Sequence, residues 1–247
     1  MASPIIRLTL RGVLARKFRV LLTGFAIILG VAFVSGAFIL TDSVKGSING
    51  LFTELQGDID LEVRTTIAFG DEATAQRDPV PASIAATIAK VPGVERTEVN
   101  IIRLATIIKA DGKPLRTSGP AFGISWYGTD GLDGRVVLEG REARRDGEVA
   151  IDKKSASRAG FSIGDSVQVV GPNGSGKFTL VGLTGTKTTE GGGGASVAAF
   201  NVATANSFLG AKDMADSIYV GVTAGQSLSK VQEAIDNALH AAYPDAK

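Results

Sequence analysis

The segment that most suggests chemistry is GPNGSGK, Gly171 to Lys177, which has the G-x-x-x-x-G-K spacing of a phosphate-binding loop. A working loop of that kind needs a Ser or Thr after the lysine to hold magnesium. It also needs a helix starting there, so that N-terminal amides face the phosphates. Phe178 follows Lys177 instead, and Thr179, Leu180, Val181 and Leu183 continue as a strand, so the context predicts a hairpin and no nucleotide site. Cysteine is absent, which excludes disulfides and thiolate metal sites, and His240 is the single histidine, far in sequence from Ser155 and Ser157, which argues against a hydrolytic triad. Asp58, Asp60 and Glu62 fall at every second position and share one face of a strand. They read either as an acid–base or metal group or as the solvent side of an amphipathic strand. Trp126 and Tyr127 in GISWYG read as core or turn packing, with an exposed aromatic also suited to a partner. The reading therefore assigns no catalytic, cofactor-binding or metal-ligating residue, expects no cofactor, and expects that the chain is not an enzyme.

The chain has 247 residues, 44% of them hydrophobic and 21% charged, enough to bury a core in one large domain or two small ones. Its net charge of +1 conceals an asymmetry. Arg7, Arg11, Arg16, Lys17 and Arg19 precede residue 20 without any acidic residue, while the remainder is near neutral to slightly acidic. No dense basic face follows, so nucleic acid is not an expected partner. From Val20 to Leu40 the sequence VLLTGFAIILGVAFVSGAFIL carries no charge, and at 1.5 Å per residue it spans roughly the 30 Å of a bilayer core. Basic residues before it and Asp42 after it predict a cytoplasmic N-terminus and an extracytoplasmic bulk. The run is longer than a signal-peptide core and lacks a clean cleavage site, which favours an anchor at the cell membrane. Ser3 and Pro4 suit a helix start, and Ile6, Leu10, Val13, Leu14 and Phe18 recur at helical spacing. Residues 1–19 therefore read either as a basic amphipathic helix on the inner membrane surface, in contact with lipid, or as an extension of the transmembrane helix.

Beyond the anchor, Ile59 to Arg64 alternates as a strand, Pro81 to Lys90 is a short helix with Ile84 and Ile88 four apart, and Thr97 to Ile108 is a β-rich run. Ser217 to Val222 is a further strand, followed by a helix opened by Ser229 with Gln232 in the capping-box position and with Leu228, Val231, Ile235, Leu239 and Ala242 on its apolar face. Two such β-α units make a split βαβ layer. Between them, strands are expected at Val136 to Glu139, Val149 to Asp152, Ser166 to Val170, Phe178 to Leu183 and Ser196 to Phe200. Short helices are expected at Lys153 to Ala159, closed by Gly160, and at Ala203 to Leu209, closed by Gly210. Arg141, Arg144 and Arg145, interleaved with Glu139, Glu142 and Asp146, read as a solvated turn, and Gly191 to Gly194 as a flexible loop. The expected fold class is α+β: a transmembrane helix, then a porter-like split βαβ subdomain (42–116 and 216–247) with a small β-rich insertion (117–215). The division is 1–19 cytoplasmic, 20–41 transmembrane and 42–247 extracytoplasmic. A split βαβ layer needs a strand after the helix ending near Tyr243, so the chain is expected to be a piece of a longer protein.

The order of several segments resembles the N-terminal part of FtsX-type ABC transporter permeases with a MacB-like periplasmic core domain. They are the basic helix with its first hydrophobic segment, GDIDLEV (Gly57 to Val63), VPGVE (Val91 to Glu95), DGKPL (Asp111 to Leu115), LEGREARRDGEVAID (Leu138 to Asp152) and AGFSIGDSVQVV (Ala159 to Val170), followed by FTLVGL, FNVATANSFLG and DSIYVGVTAGQS. The resemblance spans essentially the whole chain. It implies a permease of four transmembrane helices with this exterior domain between the first two, working with a cytoplasmic ABC ATPase subunit and a second permease copy or paralogue. ATP-driven motion of the helices would be transmitted to the exterior domain for export or for activation of an extracytoplasmic partner protein. The three later helices are not in this sequence. The alternative is a free-standing membrane-anchored extracytoplasmic binding or adaptor module, and the cargo is not specified by these residues.

Overall fold

A computed structural model of the chain describes residues 17–66, 77–191 and 194–243. Most of the expected basic helix over 1–19 lies outside the described residues, as do Pro244 and part of the Gly191 to Gly194 run. The first element, α1, is one continuous helix, Lys17–Gln56, of 40 residues, or about 60 Å at 1.5 Å per residue. The helix thus continues past residue 41, where the expected membrane-crossing part ends. Nothing in the stretch after Leu40 forces a stop, since it contains no proline, and the chain leaves helical conformation only at Gly57, whose φ of 51° suits a left-handed C-terminal glycine. Among the described residues, no helix is long and apolar enough to cross a membrane.

Residues 51–247 form a separate compact unit, built on two sheets. The smaller has three strands, β1 (Leu61–Val63), β3 (Val94–Asn100) and β13 (Ser217–Val222), in the order β1-β13-β3 with both pairs antiparallel. Between them in sequence come β2 (Val80–Pro81) and α2 (Ile84–Ile88), and after β13 comes α5 (Leu228–Ala242). Alternation explains the layer: Leu61, Val63, Val99, Ile218 and Val220 meet Ile84, Ile88, Val231 and Ile235 of the two helices in one apolar cluster. The N-cap of α5 is Ser227 rather than Ser229, so Ser229 and Gln232 lie inside the helix, and Leu228 is exposed rather than on the buried face. Among the described residues β1 has no strand on its outer side, and beside it lies a slot of about 190 Å³ lined by Leu61, Glu62, Val63, Arg64, Gln232, Ile235 and Asp236.

The larger sheet comprises β4 (Ile102–Leu104), β5 (Thr106–Ile108), β6 (Ala121–Ser125), β7 (Val136–Gly140), β8 (Glu148–Asp152), β9 (Ser166–Gly171), β10 (Gly174–Gly185) and β11 (Ser196–Phe200). Its strand path runs β4-β6-β11-β8-β10-β9-β5, with β7 joined to β10. The two ends of that path, β4 and β5, are separated in sequence by Ala105 alone, so one bent segment closes the path, while β7 is paired, among the described residues, with β10 alone. Ile107, Val149, Ile151, Val167, Val169, Leu180 and Phe200 fill the interior. Two short helices lie against the sheet, α3 (Lys153–Ala159), ended by Gly160 at φ 76°, and α4 (Val202–Phe208), capped by Asn201, which accepts from the Thr204 amide at 2.7 Å. The run Thr97 to Ile108, expected as one β segment beside α2, is broken at Ile101 and Ala105. Its last two pieces join the closed sheet, because Ile102 to Leu104 pair with β6 and Thr106 to Ile108 with β9. A two-residue strand β12 (Met214–Ala215) pairs with β2.

Candidate functional site

The face of the three-stranded sheet turned away from its helices carries Glu62, Arg96, Glu98, Tyr219 and Gly221, read from the pairings Glu62↔Tyr219↔Glu98 and Gly221↔Arg96. The connection from β6 to β7, residues 126–135, folds over this face. It is rich in glycine and aspartate (GTDGLDG) and turns tightly, with the Gly131 amide donating to the Gly128 carbonyl at 2.9 Å. Three side chains hold its shape. Trp126 Nε1 donates to Asp133 Oδ1 at 3.1 Å, Arg135 donates to Asp133 Oδ2 at 2.7 Å, and Tyr127 Oη accepts from the Val99 amide at 2.9 Å. The expectation of turn packing for Trp126 and Tyr127 is thereby given a specific form.

The exit of α1 meets this loop. The Asp58 amide donates to the Leu132 carbonyl at 2.8 Å, and the Asp60 amide donates to the Val220 carbonyl at 3.1 Å. A methyl added at Gly57 would fall 2.5 Å from both the Gly134 nitrogen and the Leu132 oxygen, so only glycine allows this approach. On the inner side, both Glu98 oxygens accept from the Leu132 amide at 3.0 Å, and Glu98 is only 4% exposed. Burial pushes the Glu98 carboxyl above its ordinary range against the opposing pull of the Leu132 amide and of Arg96, while Asp133 adds to the rise. Arg96 Nε stands 3.6 Å from Glu98 Oε1.

A waist of two antiparallel crossings then joins the three-stranded layer to the closed sheet. Here the Asp216 amide donates to the Asn100 carbonyl at 2.8 Å, the Ile102 amide donates to Asp216 Oδ2 at 2.7 Å, and Arg103 forms an ion pair with Asp216. Asn100 Nδ2 donates to Ser217 Oγ at 3.0 Å, while Ser125 Oγ accepts from the Ile101 amide at 2.9 Å and donates to the Val99 carbonyl at 2.8 Å. Hydrogen bonds link Asp58 to Leu132 and Leu132 to Glu98, and the backbone of β3 continues from Glu98 through Val99 and Asn100 to the bonds of the waist. Such an arrangement can transmit displacement, and among the described residues it brings no nucleophile, base and electrophile together.

Asp58, Asp60 and Glu62 are not gathered into one group. Asp58 is exposed in the turn, Asp60 Oδ2 accepts from the Val222 amide at 2.7 Å, and Glu62 pairs with Arg64 at 3.4 Å. Ser155 is buried in the first turn of α3 under Asp152, Ser157 is exposed, and exposed His240 bonds the Asp236 carbonyl at 2.8 Å. GPNGSGK forms the β9–β10 hairpin, with Lys177 in a strand opposite Gln168. Among the described residues no group of metal-ligating side chains is present. The expected solvated turn around Arg141 is corrected in part. Arg141 clamps the buried Glu148 with two bonds of 2.8 and 2.6 Å, the Arg144 and Arg145 amides also donate to Glu148, and its pKa is lowered to about 2, chiefly by Arg141. Sequence reasoning missed Glu98 and Leu132. The one available signal was a lone leucine inside GTDGLDG, which needs a surface to cover.

The description "MacB-like periplasmic core domain" belongs to a family model that matches residues 20–238. Among solved structures, the periplasmic region of MacB from Actinobacillus actinomycetemcomitans superposes with a TM-score of 0.56 at 15% identity, covering 75% of this chain and 84% of that one. The extracellular domain of the noncanonic ABC-type transporter YknZ from Gram-positive bacteria superposes at 0.54 with 15% identity, covering 76% of this chain and 96% of that one. No curated protein matches the sequence.

Proposed function

The chain belongs to the MacB-like periplasmic core domain family, and on that premise we propose that this ABC transporter permease component carries movement of a membrane helix into an extracytoplasmic domain. The observation behind the proposal is the junction: α1 runs unbroken to Gln56, and two residues later the Asp58 amide is already bonded to the loop over Glu98. A rigid helix ending in a bonded turn delivers displacement, whereas a long flexible linker would dissipate it. In this reading 1–19 is cytoplasmic, 20–41 crosses the membrane, and 42–247 is extracytoplasmic, with 42–116 and 216–247 as the α+β part and 117–215 as the β-rich part. A separate cytoplasmic ATPase and a second permease copy or paralogue complete the machine. The cargo is exported, or an extracytoplasmic partner is activated, by motion and not by chemistry on this chain.

The test uses the absence of native cysteine. A fluorophore on Gln56→Cys, in proteoliposomes holding the protein and the nucleotide-binding subunit that co-purifies with it, is expected to change signal on ATP addition and again on vanadate trapping. A constant signal during ATP hydrolysis contradicts the proposal. A second reading, a membrane-anchored binding module, is favoured by the outer side of β1, which carries no strand among the described residues, and by its neighbouring slot, which together suit an added strand. It predicts uptake of an extended segment without any ATPase.

A further inference from the structure

We propose that Glu98 is the positioning residue that fixes the exit of α1 onto the extracytoplasmic domain, with Leu132 as the link between them. This deepens the coupling reading above and rests on it. A buried carboxylate on a sheet face needs a reason, because removing it from water is costly and an apolar residue of similar size generally packs at least as well. Both Glu98 oxygens are directed at one backbone amide, that of Leu132, at 3.0 Å each. Its nearest guanidinium nitrogen, Arg96 Nε, stands at 3.6 Å on a side chain that is 44% exposed, so the carboxylate serves the loop more than an ion pair. Leu132 uses every part of itself at this point. Its amide is held by Glu98, its carbonyl accepts from the Asp58 amide at 2.8 Å, and its side chain sits on Gly221, where an added methyl would fall 2.8 Å from Leu132 Cδ2. Glycine at 221 opens the seat and glycine at 57 allows the close approach from the other side. Displacement of the α1 exit therefore pulls on the Leu132 carbonyl, and the resistance comes from the Leu132 amide on Glu98 and from β3 behind it.

Amide hydrogen exchange on the full chain in lipid nanodiscs tests this, with Glu98→Met, which keeps volume and removes both acceptors, and Glu98→Gln, which keeps one acceptor and removes the charge. In Glu98→Met the amides of Asp58 and Leu132 are expected to exchange about 10-fold faster or more, as follows from losing one charged hydrogen bond. Val220 in the ladder beneath, and Val167 and Leu180 in the closed sheet, should be unchanged. Glu98→Gln should bring the two junction amides back to within about 3-fold of wild type. The proposal is overturned if those amides are unaffected in Glu98→Met, if the ladder amides speed up equally, or if Glu98→Gln is no better than Glu98→Met. No ATPase enters the experiment. A negative exchange result therefore removes the latch and leaves the coupling reading to the fluorophore test, while accelerated exchange beside a silent fluorophore keeps the latch and removes the coupling.

Discussion

The closed sheet and the three-stranded layer are made of similar short strands, yet they treat their edges and their polar groups in opposite ways. In the closed sheet the strand path returns to its start at Ala105, and the interior is apolar, with Phe178, Phe200 and Phe208 at ring-centre separations of 4.8 to 5.5 Å. Its buried charges sit at turns, where Asp152 caps α3 and Glu148 is clamped by Arg141. The three-stranded layer ends at β1 among the described residues and places a buried carboxylate in the middle of a strand face, under the loop that receives α1. On the coupling proposed above, the difference would separate a self-contained apolar body from the layer that meets the exit of α1.

The sharpest way to break the contrast is to empty the rigid body. Phe200→Ala removes a fully buried ring from the aromatic trio and is expected to cost about 3–5 kcal/mol, read as a lower midpoint in chemical denaturation. The same experiment on Gly57→Ala, strained at φ 51° and crowded by the 128–135 loop, is expected to cost about 1–3 kcal/mol. Unlike Phe200→Ala, it should concentrate its effect on exchange near Asp58 and Leu132.

Acid distinguishes Glu148 from Glu98, two of the buried carboxylates. The Glu148 pKa lies at about 2 against an ordinary 4.5, so its contribution is present above pH 4.5 and is lost as pH falls toward 2. Glu148→Gln should lower stability at pH 6 by about 1–2 kcal/mol and flatten the acid limb. Glu98 is raised above its ordinary 4.5, so its contribution is full below that value and declines as pH rises through the folded-state pKa. Glu98→Gln should therefore gain on wild type between pH 4 and pH 7 in denaturation midpoints, the reverse of Glu148→Gln. The smallest effect belongs to the connection returning from the closed sheet. Lys212 and Asp213 adopt φ of 44° and 65°, and Asp213→Gly should stabilise by about 0.5–1 kcal/mol while leaving junction exchange alone.

The rigid body was the more legible of the two in sequence. Alternation, glycine stops and caps marked β8, β9, β10, β11 and α3 because each of those signals is local, and the hairpin at GPNGSGK followed from Phe178 standing where a hydroxyl would be needed. The assignment of Ile102 to Leu104 and Thr106 to Ile108 to the closed sheet was not legible, since it depends on partners at Ala121 to Ser125 and Ser166 to Gly171. Glu98 was hidden for a related reason. In VERTEVN it occupies an ordinary solvent-side position of an alternating strand, and only the distant loop at Leu132 buries it. The length of α1 was not legible, because hydrophobicity ends near Leu40 while helical conformation does not.

The most direct test of the central claim, an extracytoplasmic domain carried on a membrane-crossing helix, is cysteine labelling of intact cells with a membrane-impermeant maleimide, using Lys177→Cys in the exposed hairpin and Ser3→Cys near the N-terminus. The account predicts that Lys177→Cys labels in intact cells and that Ser3→Cys labels only after lysis; protection of Lys177→Cys until lysis, or labelling of Ser3→Cys from outside, would contradict it.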